Sequence, residues 1–230
     1  NDYTEVLTNL QNGKSGIIFN EKYSEMGFRS CVSGSVDIDL SELIDRKLRR
    51  FMGESAGYAY LATKDALKMA GIEESDLDSP KIGIVAGSGG ASTRVMLESG
   101  DIAREKGPKR IGPYGVTKSM SSSISAIIAT ALKLKGINYS ISSACATSAH
   151  CIGHAADLIK SGQQDIVIAG GSDDEHWSSS CLFDAMGALS SNFNSTPTIA
   201  SRPYDSNRDG FVISGGAGMI ILEDEEHAKK

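Results

Sequence analysis

Residues 136–162, GINYSISSACATSAHCIGHAADLIKSG, join a strand pattern to a helix pattern and so decide the fold at this point. The opening letters, GINYSIS, contain the aromatic and β-branched residues typical of a strand. From Ala149 to Ile159 the apolar residues recur at helical spacing, and Gly162 is a typical residue at a helix end. The pattern therefore places Cys145 at a corner between a strand and a helix.

That corner leaves two roles open for Cys145. The first backbone N–H groups of a helix lack intrahelical partners and carry the positive end of the helix dipole. Such a position raises the fraction of nucleophilic thiolate, and the same N–H groups stabilise an oxyanion on an attacked carbonyl. Small neighbours, Ser143, Ala144 and Ala146, keep the approach narrow but open. The alternative is a small buried cysteine that only packs, and the corner alone does not decide between the two roles.

The composition predicts a globular protein that binds neither nucleic acid nor membrane. The 230 residues are 40% hydrophobic and carry a formal net charge of −6, which argues against a general nucleic-acid binder. No apolar run reaches the length of a membrane span or of a signal peptide. The cysteines at positions 31, 145, 151 and 181 lack the spacing of a metal ribbon or a disulfide framework. We therefore predict reduced cysteines and a cytoplasmic location.

Helices that alternate with apolar strands predict a layered α/β fold, with residues 1–230 forming a single domain. Buried strands are expected in KIGIVAGSGG (81–90) and over 165–170, and a helix over 54–70 that Gly71 ends. The remaining expectations are an opening helix capped by Thr4, a helix within 112–136, an irregular stretch over 171–210, a two-stranded hairpin within 210–224, and a helix that starts within 223–230.

The glycine loop (residues 87–90) follows the first buried strand and suggests a phosphate site. Its glycines, Gly87, Gly89 and Gly90, fit neither G-x-G-x-x-G nor the P-loop pattern, since no Gly-Lys-Ser/Thr follows. We therefore favour a loop whose glycines, because they lack side chains, leave room for another group to pass.

Two histidines on the predicted helix after Cys145 suggest one face of a zinc site. His150 and His154 lie four residues apart, with Cys151 beside the first. The glutamate of H-E-x-x-H is replaced by Cys151, and no third ligand stands nearby. We therefore favour histidines that pack or lie on the helix surface, and we predict no metal.

Two basic segments stand out in this acidic chain. They are DRKLRR (45–50) and REKGPKR (104–110). Each segment alone is typical of a solvated face. Together, in a chain of net negative charge, they also suit an acidic partner.

Several long motifs, in order, resemble those of one known family. They are GPYGVTKSM (112–120), SISSACATSAHCIG (140–153), FDAMGALS (183–190) and DSNRDGFVISGGAG (205–218). Together they resemble the β-ketoacyl-acyl carrier protein synthases, the condensing enzymes of type II fatty acid synthesis, and the run after Cys145 is similar to the synthase I branch. The resemblance covers essentially the whole chain and implies a homodimer with a thiolase-like fold, an α-β-α-β-α sandwich of two related halves.

The resemblance also implies an acyltransferase that needs no cofactor. Cys145 would take an acyl chain from an acyl carrier protein as a thioester, and a carbanion from malonyl-acyl carrier protein would then attack that thioester. The strand INYSIS resembles one that pairs across the dimer interface. Acyl-chain contacts are implied at Gly89, Val116, Met120, Phe183 and Phe211. Contacts to the acidic carrier protein are implied at Arg46, Lys47, Arg50, Lys106 and Lys109.

The chain also departs from the family pattern. The family's first strand is expected before Asn1, and its C-terminal half, with the His-Gly-Thr and Gly-His motifs, is not in this sequence. We therefore expect the N-terminal half of the sandwich without its first strand, and a chain that does not catalyse condensation alone. Two alternatives remain: a non-catalytic fragment for dimerisation or carrier docking, and a Cys/His thioester hydrolase that uses His150.

Overall fold

The computed structural model describes residues 3–90 and 92–229, and the contacts among them divide the chain into two units. The smaller unit runs up to Asp37 and resumes over Glu175–Gly215. The larger unit comprises Ile38–Asp174 and the chain from Gly216 onward. Among the described residues, no helix is long and apolar enough to cross a membrane.

The described helices and strands have the following bounds. The helices are α1 (Tyr3–Gln11), α2 (Glu21–Glu25), α3 (Leu40–Leu43), α4 (Arg46–Arg49), α5 (Glu54–Ala70), α6 (Thr93–Lys106), α7 (Gly115–Ser119), α8 (Ser123–Leu132), α9 (Thr147–Lys160), α10 (Trp177–Met186) and α11 (Glu225–Ala228). The strands are β1 (Ile18–Phe19), β2 (Val32–Ser33), β3 (Ile82–Gly87), β4 (Asn138–Tyr139), β5 (Ile166–Asp173) and β6 (Gly216–Glu223). Short 3-10 turns lie at Glu74–Leu77, Pro108–Arg110 and Pro197–Ile199.

The larger unit is built on a mixed sheet with the strand order β4-β3-β5-β6. Strand β3 pairs in parallel with β4 and β5, whereas β6 pairs with β5 in antiparallel fashion. The register of β3 on β5 runs from Ile82 opposite Ile166 to Gly87 opposite Gly171. The carboxyl ends of these parallel strands therefore lie at one edge of the sheet, which is where open α/β sheets place their sites.

Side chains alternate between the two faces of this sheet, as the period of a strand requires. Ile84 and Ile168 join a buried cluster with residues of α5 and α8. Val85 and Val167 join a second cluster with α9, which contributes Cys151, Ala155 and Leu158. The larger unit thus has helices on both faces of its sheet, and α9 follows directly after Cys145.

The smaller unit contains the antiparallel pair of β1 and β2 together with α1, α2 and α10. Its largest fully buried side chain is Tyr23, whose ring stacks on Phe28 with a centroid distance of 4.6 Å. The Tyr23 hydroxyl donates to Glu175 and lies 2.6 Å from the Ser180 hydroxyl of α10. Burial raises the pKa of Tyr23 above its usual value, so the phenol stays protonated and donates.

Several elements agree with the sequence-based expectations. Helix α5 spans Glu54–Ala70 and ends at Gly71, whose φ of 68° suits glycine. The buried strands β3 and β5 and the short helix α11 are also present. The predicted α/β class is confirmed.

The sequence analysis did not predict the long helices α6 and α10, nor the short helices α2, α3 and α4. Helix α6 (Thr93–Lys106) has no fully buried residue and is polar on average, so no apolar run marks it in the sequence. Helix α10 (Trp177–Met186) lies within the stretch that we predicted to be irregular, and its only fully buried residue is Ser180. The polar composition of α6 and the weak apolar periodicity of α10 explain why these two were missed.

Other boundaries differ from the expectations. The hairpin predicted within 210–224 is wrong, because that region contains the single strand β6, which pairs with β5. The strand predicted over 136–142 shortens to β4, which lies at the edge of the sheet. The helix predicted within 112–136 is two helices, α7 and α8, separated where Met120 is extended. Thr4 lies inside α1 and so does not cap it.

Candidate active site

Cys145 lies at the predicted corner, between β4 and the start of α9 at Thr147. The turn is tight: the N–H of Ala146 donates to the carbonyl of Ser143, and the N–H of Thr147 donates to that of Ala144, each at 3.1 Å. Ala144 has a φ of 51°, in the left-handed region that costs a residue with a Cβ about 1 kcal/mol. This turn leaves the Cys145 side chain exposed.

The four cysteines differ sharply in exposure. Cys145 is exposed, Cys181 is half-buried, and Cys31 and Cys151 are buried. Cys151 lies in the core cluster between α9 and the sheet, where desolvation raises the pKa of its thiol. The packing role that the sequence left open therefore describes Cys151, whereas Cys145 is the thiol that a substrate can reach.

The backbone N–H of Cys145 has no hydrogen-bond acceptor within residues 3–90 and 92–229. A donor of this kind is suited to an oxyanion that forms on a carbonyl attacked by the adjacent sulfur. The corner thus combines an accessible thiol with an uncommitted backbone donor in the same residue.

The glycine loop approaches this corner closely because Gly87 and Gly89 lack side chains. A Cβ atom at position 89 would lie 3.1 Å from the carbonyl oxygen of Ala144. A Cβ atom at position 87 would overlap the carbonyl oxygen of Ile141. The N–H of Gly89 donates to the carboxylate of Asp173 at 3.0 Å. That N–H is therefore not free to bind a phosphate, and the loop brings Gly89 next to the residue before Cys145.

The two histidines of α9 bind different hydroxyl groups. Nδ1 of His150 lies 2.6 Å from the Ser143 hydroxyl, and Nε2 of His154 bonds to the Tyr139 hydroxyl. The part of the chain that the structure describes contains no group of three His, Cys, Asp or Glu side chains that would hold a metal ion. A hydrolase that uses His150 as a base gains no support, because no hydrogen bond among the described residues joins His150 to the Cys145 thiol.

The implied acyl-chain residues are distributed over both units. In the larger unit, Val116 lies on α7 and is 74% exposed, and Met120 follows the end of α7. In the smaller unit, the rings of Phe183 and Phe211 meet edge to face with centroids 5.3 Å apart. Gly89 is the implied acyl-chain residue that the structure brings against the Cys145 corner.

Helix α10, which carries Phe183, is fixed at its carboxyl end. The Asp184 carboxylate accepts the backbone N–H groups of Arg29 and Ser30 at 3.2 and 2.9 Å. Asp184 directly follows Phe183, so these bonds hold the end of α10 next to that residue.

The implied carrier-protein residues lie on exposed surfaces of the larger unit. Arg46 and Lys47 belong to α4 and are exposed. The Arg50 guanidinium stacks over the rings of Phe51 and Tyr114, at 5.2 and 5.4 Å from their centroids. Lys106 and Lys109 are exposed near the end of α6. The neighbouring Arg49 differs, because it pairs with Glu54 at 2.9 Å and is turned inward.

The sequence analysis missed Asp173, whose carboxylate contacts the glycine loop. Its signal was present in the letters GSDD, since acidic residues directly after a buried parallel strand lie at the edge where sites form. The expected end of that strand at residue 170 concealed it, because β5 runs on to Asp173.

Comparisons with known proteins agree on one family. The model of the beta-ketoacyl synthase N-terminal domain matches residues 1–228. The chain is 51% identical to 3-oxoacyl-[acyl-carrier-protein] synthase 1 of Escherichia coli (strain K12) over 230 residues, which cover 99% of this chain and 57% of that protein. It is also 51% identical to the protein of the same name from Haemophilus influenzae (strain Rd), covering 99% and 56%.

Solved structures with the same fold are ketosynthases. The crystal structure of a beta-ketoacyl synthase from Burkholderia phymatum STM815 matches with a TM-score of 0.89 at 25% identity, covering 99% of this chain and 56% of that one. A type II polyketide ketosynthase solved with its acyl-carrier protein matches with a TM-score of 0.84 at 30% identity, covering 99% and 55%. The predicted thiolase-like fold is thereby confirmed, and the chain spans a little over half the length of these relatives.

Proposed function

The chain belongs to the beta-ketoacyl synthase family, and we propose that it carries the nucleophile of a 3-oxoacyl-acyl carrier protein synthase of the synthase I type. The observation that supports this proposal is the exposed Cys145 thiol beside its own uncommitted N–H, at a corner between strand and helix. The 51% identity to proteins named synthase 1 favours that branch.

In the proposed first step, Cys145 captures an acyl group. The thiolate attacks the carbonyl carbon of an acyl thioester on the carrier protein, and the carbonyl oxygen becomes an oxyanion that the Cys145 N–H stabilises. When the tetrahedral intermediate collapses, the bond to the carrier thiol breaks and that thiolate leaves with its electron pair. The product is an acyl thioester on Cys145.

In the proposed second step, the captured chain is lengthened by two carbons. Malonyl-acyl carrier protein loses carbon dioxide, and the carbanion that remains attacks the thioester carbonyl on Cys145. The same N–H stabilises the second oxyanion, and the Cys145 thiolate is the leaving group.

We propose that Gly89, Val116, Met120, Phe183 and Phe211 contact the acyl chain. Gly89 supports this assignment because its missing side chain leaves room beside Ala144, where a Cβ would already approach within 3.1 Å. The aromatic pair of Phe183 and Phe211 offers an apolar surface suited to a hydrocarbon chain.

Peptide mapping tests the proposed nucleophile directly. After incubation of the complete gene product with an acyl-loaded carrier protein, digestion and mass spectrometry should find the acyl mass on the peptide that contains Cys145. An acyl group on Cys181 or another residue instead would contradict the assignment. An intact carrier complex without any acylated peptide would support the docking-fragment alternative.

We propose that Arg46, Lys47, Arg50, Lys106 and Lys109 receive the acidic carrier protein. The chain has a net charge of −6, so an acidic partner requires local basic surface to overcome the net repulsion. Stacking on Phe51 and Tyr114 supports a role for Arg50, because it orders the guanidinium before a partner arrives. A similar ketosynthase was solved in complex with its acyl-carrier protein.

Reversing two of these charges should weaken carrier binding without altering the chemistry. We expect the double change Arg46→Glu and Lys47→Glu to raise the KM for acyl-carrier protein about tenfold and to leave kcat within about twofold, because exposed charges act on association. Steady-state kinetics at two salt concentrations measure this, and the difference should shrink as salt screens the charges.

A matched double reversal at exposed lysines elsewhere is the control. Lys14→Glu with Lys68→Glu changes the net charge by the same amount, and we expect the KM to change less than twofold. Equal effects from both double variants would show that net charge alone matters and would contradict the docking surface.

We also propose a homodimer, a cytoplasmic location, and a single N-terminal domain over residues 1–230. The dimer is supported by β4, whose exposed residues Asn138 and Tyr139 lie at the edge of the sheet. An unpaired edge of this kind presents backbone groups that a second chain can pair with.

The proposed location is supported by the four cysteines, which are free, in keeping with a reducing compartment. The proposed single domain is supported by the one family model that spans residues 1–228.

A further inference from the structure

We propose that Asp173 is a positioning residue that holds the glycine loop against the backbone before Cys145 and thereby sharpens the choice of acyl-chain length. The inference rests on the proposed acyl transfer at Cys145. It concerns a contact between the carboxyl ends of β3 and β5 in the larger unit.

The contact is made by one carboxylate oxygen. Oδ1 of Asp173 lies 2.6 Å from the Ser88 hydroxyl oxygen and accepts the backbone N–H of Gly89 at 3.0 Å. Pairing between β3 and β5 ends at Gly87 and Gly171, and β5 continues for two residues to Asp173. Asp173 therefore extends past the last paired residue of β3 and binds the loop that follows it. Hydrogen bonds to an ionised acceptor are stronger than those between neutral groups.

On its other side, the same loop contacts the segment that carries the nucleophile. The Ser142 hydroxyl donates to the Ser88 carbonyl at 3.0 Å. A Cβ at position 89 would lie 3.1 Å from the carbonyl oxygen of Ala144, so the loop passes close to that residue. A displacement of the loop therefore acts on this segment through the Ser142 hydrogen bond and changes the space beside Ala144, the residue bonded to Cys145.

Ala144 makes this coupling effective because its backbone conformation is already unfavourable. Its φ of 51° is sparsely populated for a residue with a Cβ and persists only where the surroundings hold it. Its carbonyl accepts the N–H of Thr147 and the hydroxyl of the same residue. The loop therefore lies beside a residue of the corner whose backbone conformation depends on its neighbours.

Two explanations of the Asp173 contact predict different results. If the carboxylate only stabilises the fold, its loss lowers stability and affects every acyl substrate equally. If the carboxylate holds the glycine loop in place beside the acyl chain, its loss also reduces the discrimination between chain lengths. The ratio of kcat/KM values for two substrates on the same variant separates these cases, because a smaller folded fraction cancels in that ratio.

The test measures this discrimination in the complete gene product. We expect Asp173→Ala to reduce about fivefold the ratio of kcat/KM for the preferred acyl-carrier substrate to that for a longer, disfavoured one, because the loop loses its hydrogen-bond acceptor. Asp173→Asn keeps an acceptor oxygen at the same place and should retain most of the discrimination. Asp157→Ala removes an exposed carboxylate from α9 and should leave the ratio unchanged.

Two results would overturn the inference. One is an Asp173→Ala protein whose ratio matches that of the wild type, and the other is an Asp173→Asn protein as impaired as Asp173→Ala. Should Asp173→Ala not fold, Ser88→Ala removes one of the two bonds and is expected to change the ratio in the same direction, by about twofold. A wild-type protein that does not acylate Cys145 would refute the proposed function itself, and peptide mapping of that protein distinguishes the two failures.

Discussion

Replacing Cys145 with serine should lower the rate of chain elongation at least about 1,000-fold, since a serine hydroxyl is a weak nucleophile unless a base activates it. Among the described residues, no hydrogen bond links Cys145 to such a base, and His150 bonds through Nδ1 to the Ser143 hydroxyl instead. The corner would retain its N–H donor, so carrier binding should persist while acyl capture is lost. Turnover of acyl- and malonyl-loaded carrier protein by the complete gene product measures the rate.

Cys181→Ser is the matched control for this prediction. Cys181 is also a free thiol, half-buried on α10, and its sulfur contacts the Ser178 carbonyl at 3.3 Å. We expect that variant to keep at least about half of the wild-type turnover, because the substitution is small and lies outside the buried core. Turnover by Cys145→Ser above about a tenth of the wild-type rate would contradict covalent catalysis at Cys145.

The corner itself was predictable because its signals are local. The change from strand letters to helical spacing, together with Gly162, places Cys145 within a few residues of a helix start, and α9 begins at Thr147. The glycines of the loop were likewise predicted to leave room for another group. In the structure, Gly89 lies so near Ala144 that an added Cβ would be 3.1 Å from the Ala144 carbonyl oxygen.

Other features depend on residues that are distant in sequence, so no local pattern reveals them. The Asp173 carboxylate binds Ser88, 85 positions earlier in the chain. Helix α10 has little apolar periodicity and is held by tertiary bonds, among them the one between Ser180 and the buried Tyr23 hydroxyl, 157 positions apart. Tertiary contacts here override a weak local preference, which explains why this helix was missed.

Replacing Gly87 with alanine should lower the stability of the protein strongly. The added Cβ would overlap the Ile141 carbonyl oxygen and lie 3.1 Å from a methyl carbon of Thr147. Both groups flank the turn that carries Cys145, and the first is backbone, so relief requires β3 and that turn to separate. We expect the free energy of unfolding to fall by about 3 kcal/mol, the upper end for overpacking. Urea unfolding followed by circular dichroism measures it.

Gly100→Ala is the control, because it adds the same methyl group in the interior of α6. There the nearest heavy atoms are the guanidinium nitrogens of Arg104, 4.0 Å away at the end of a flexible side chain. Alanine is a better helix former than glycine, so we expect this variant to gain up to about 1 kcal/mol. A Gly87→Ala protein whose free energy of unfolding lies within about 0.5 kcal/mol of the wild-type value would show that the turn accommodates the methyl group without loss of stability. In that case the close approach of β3 would not be what holds the Cys145 corner in place.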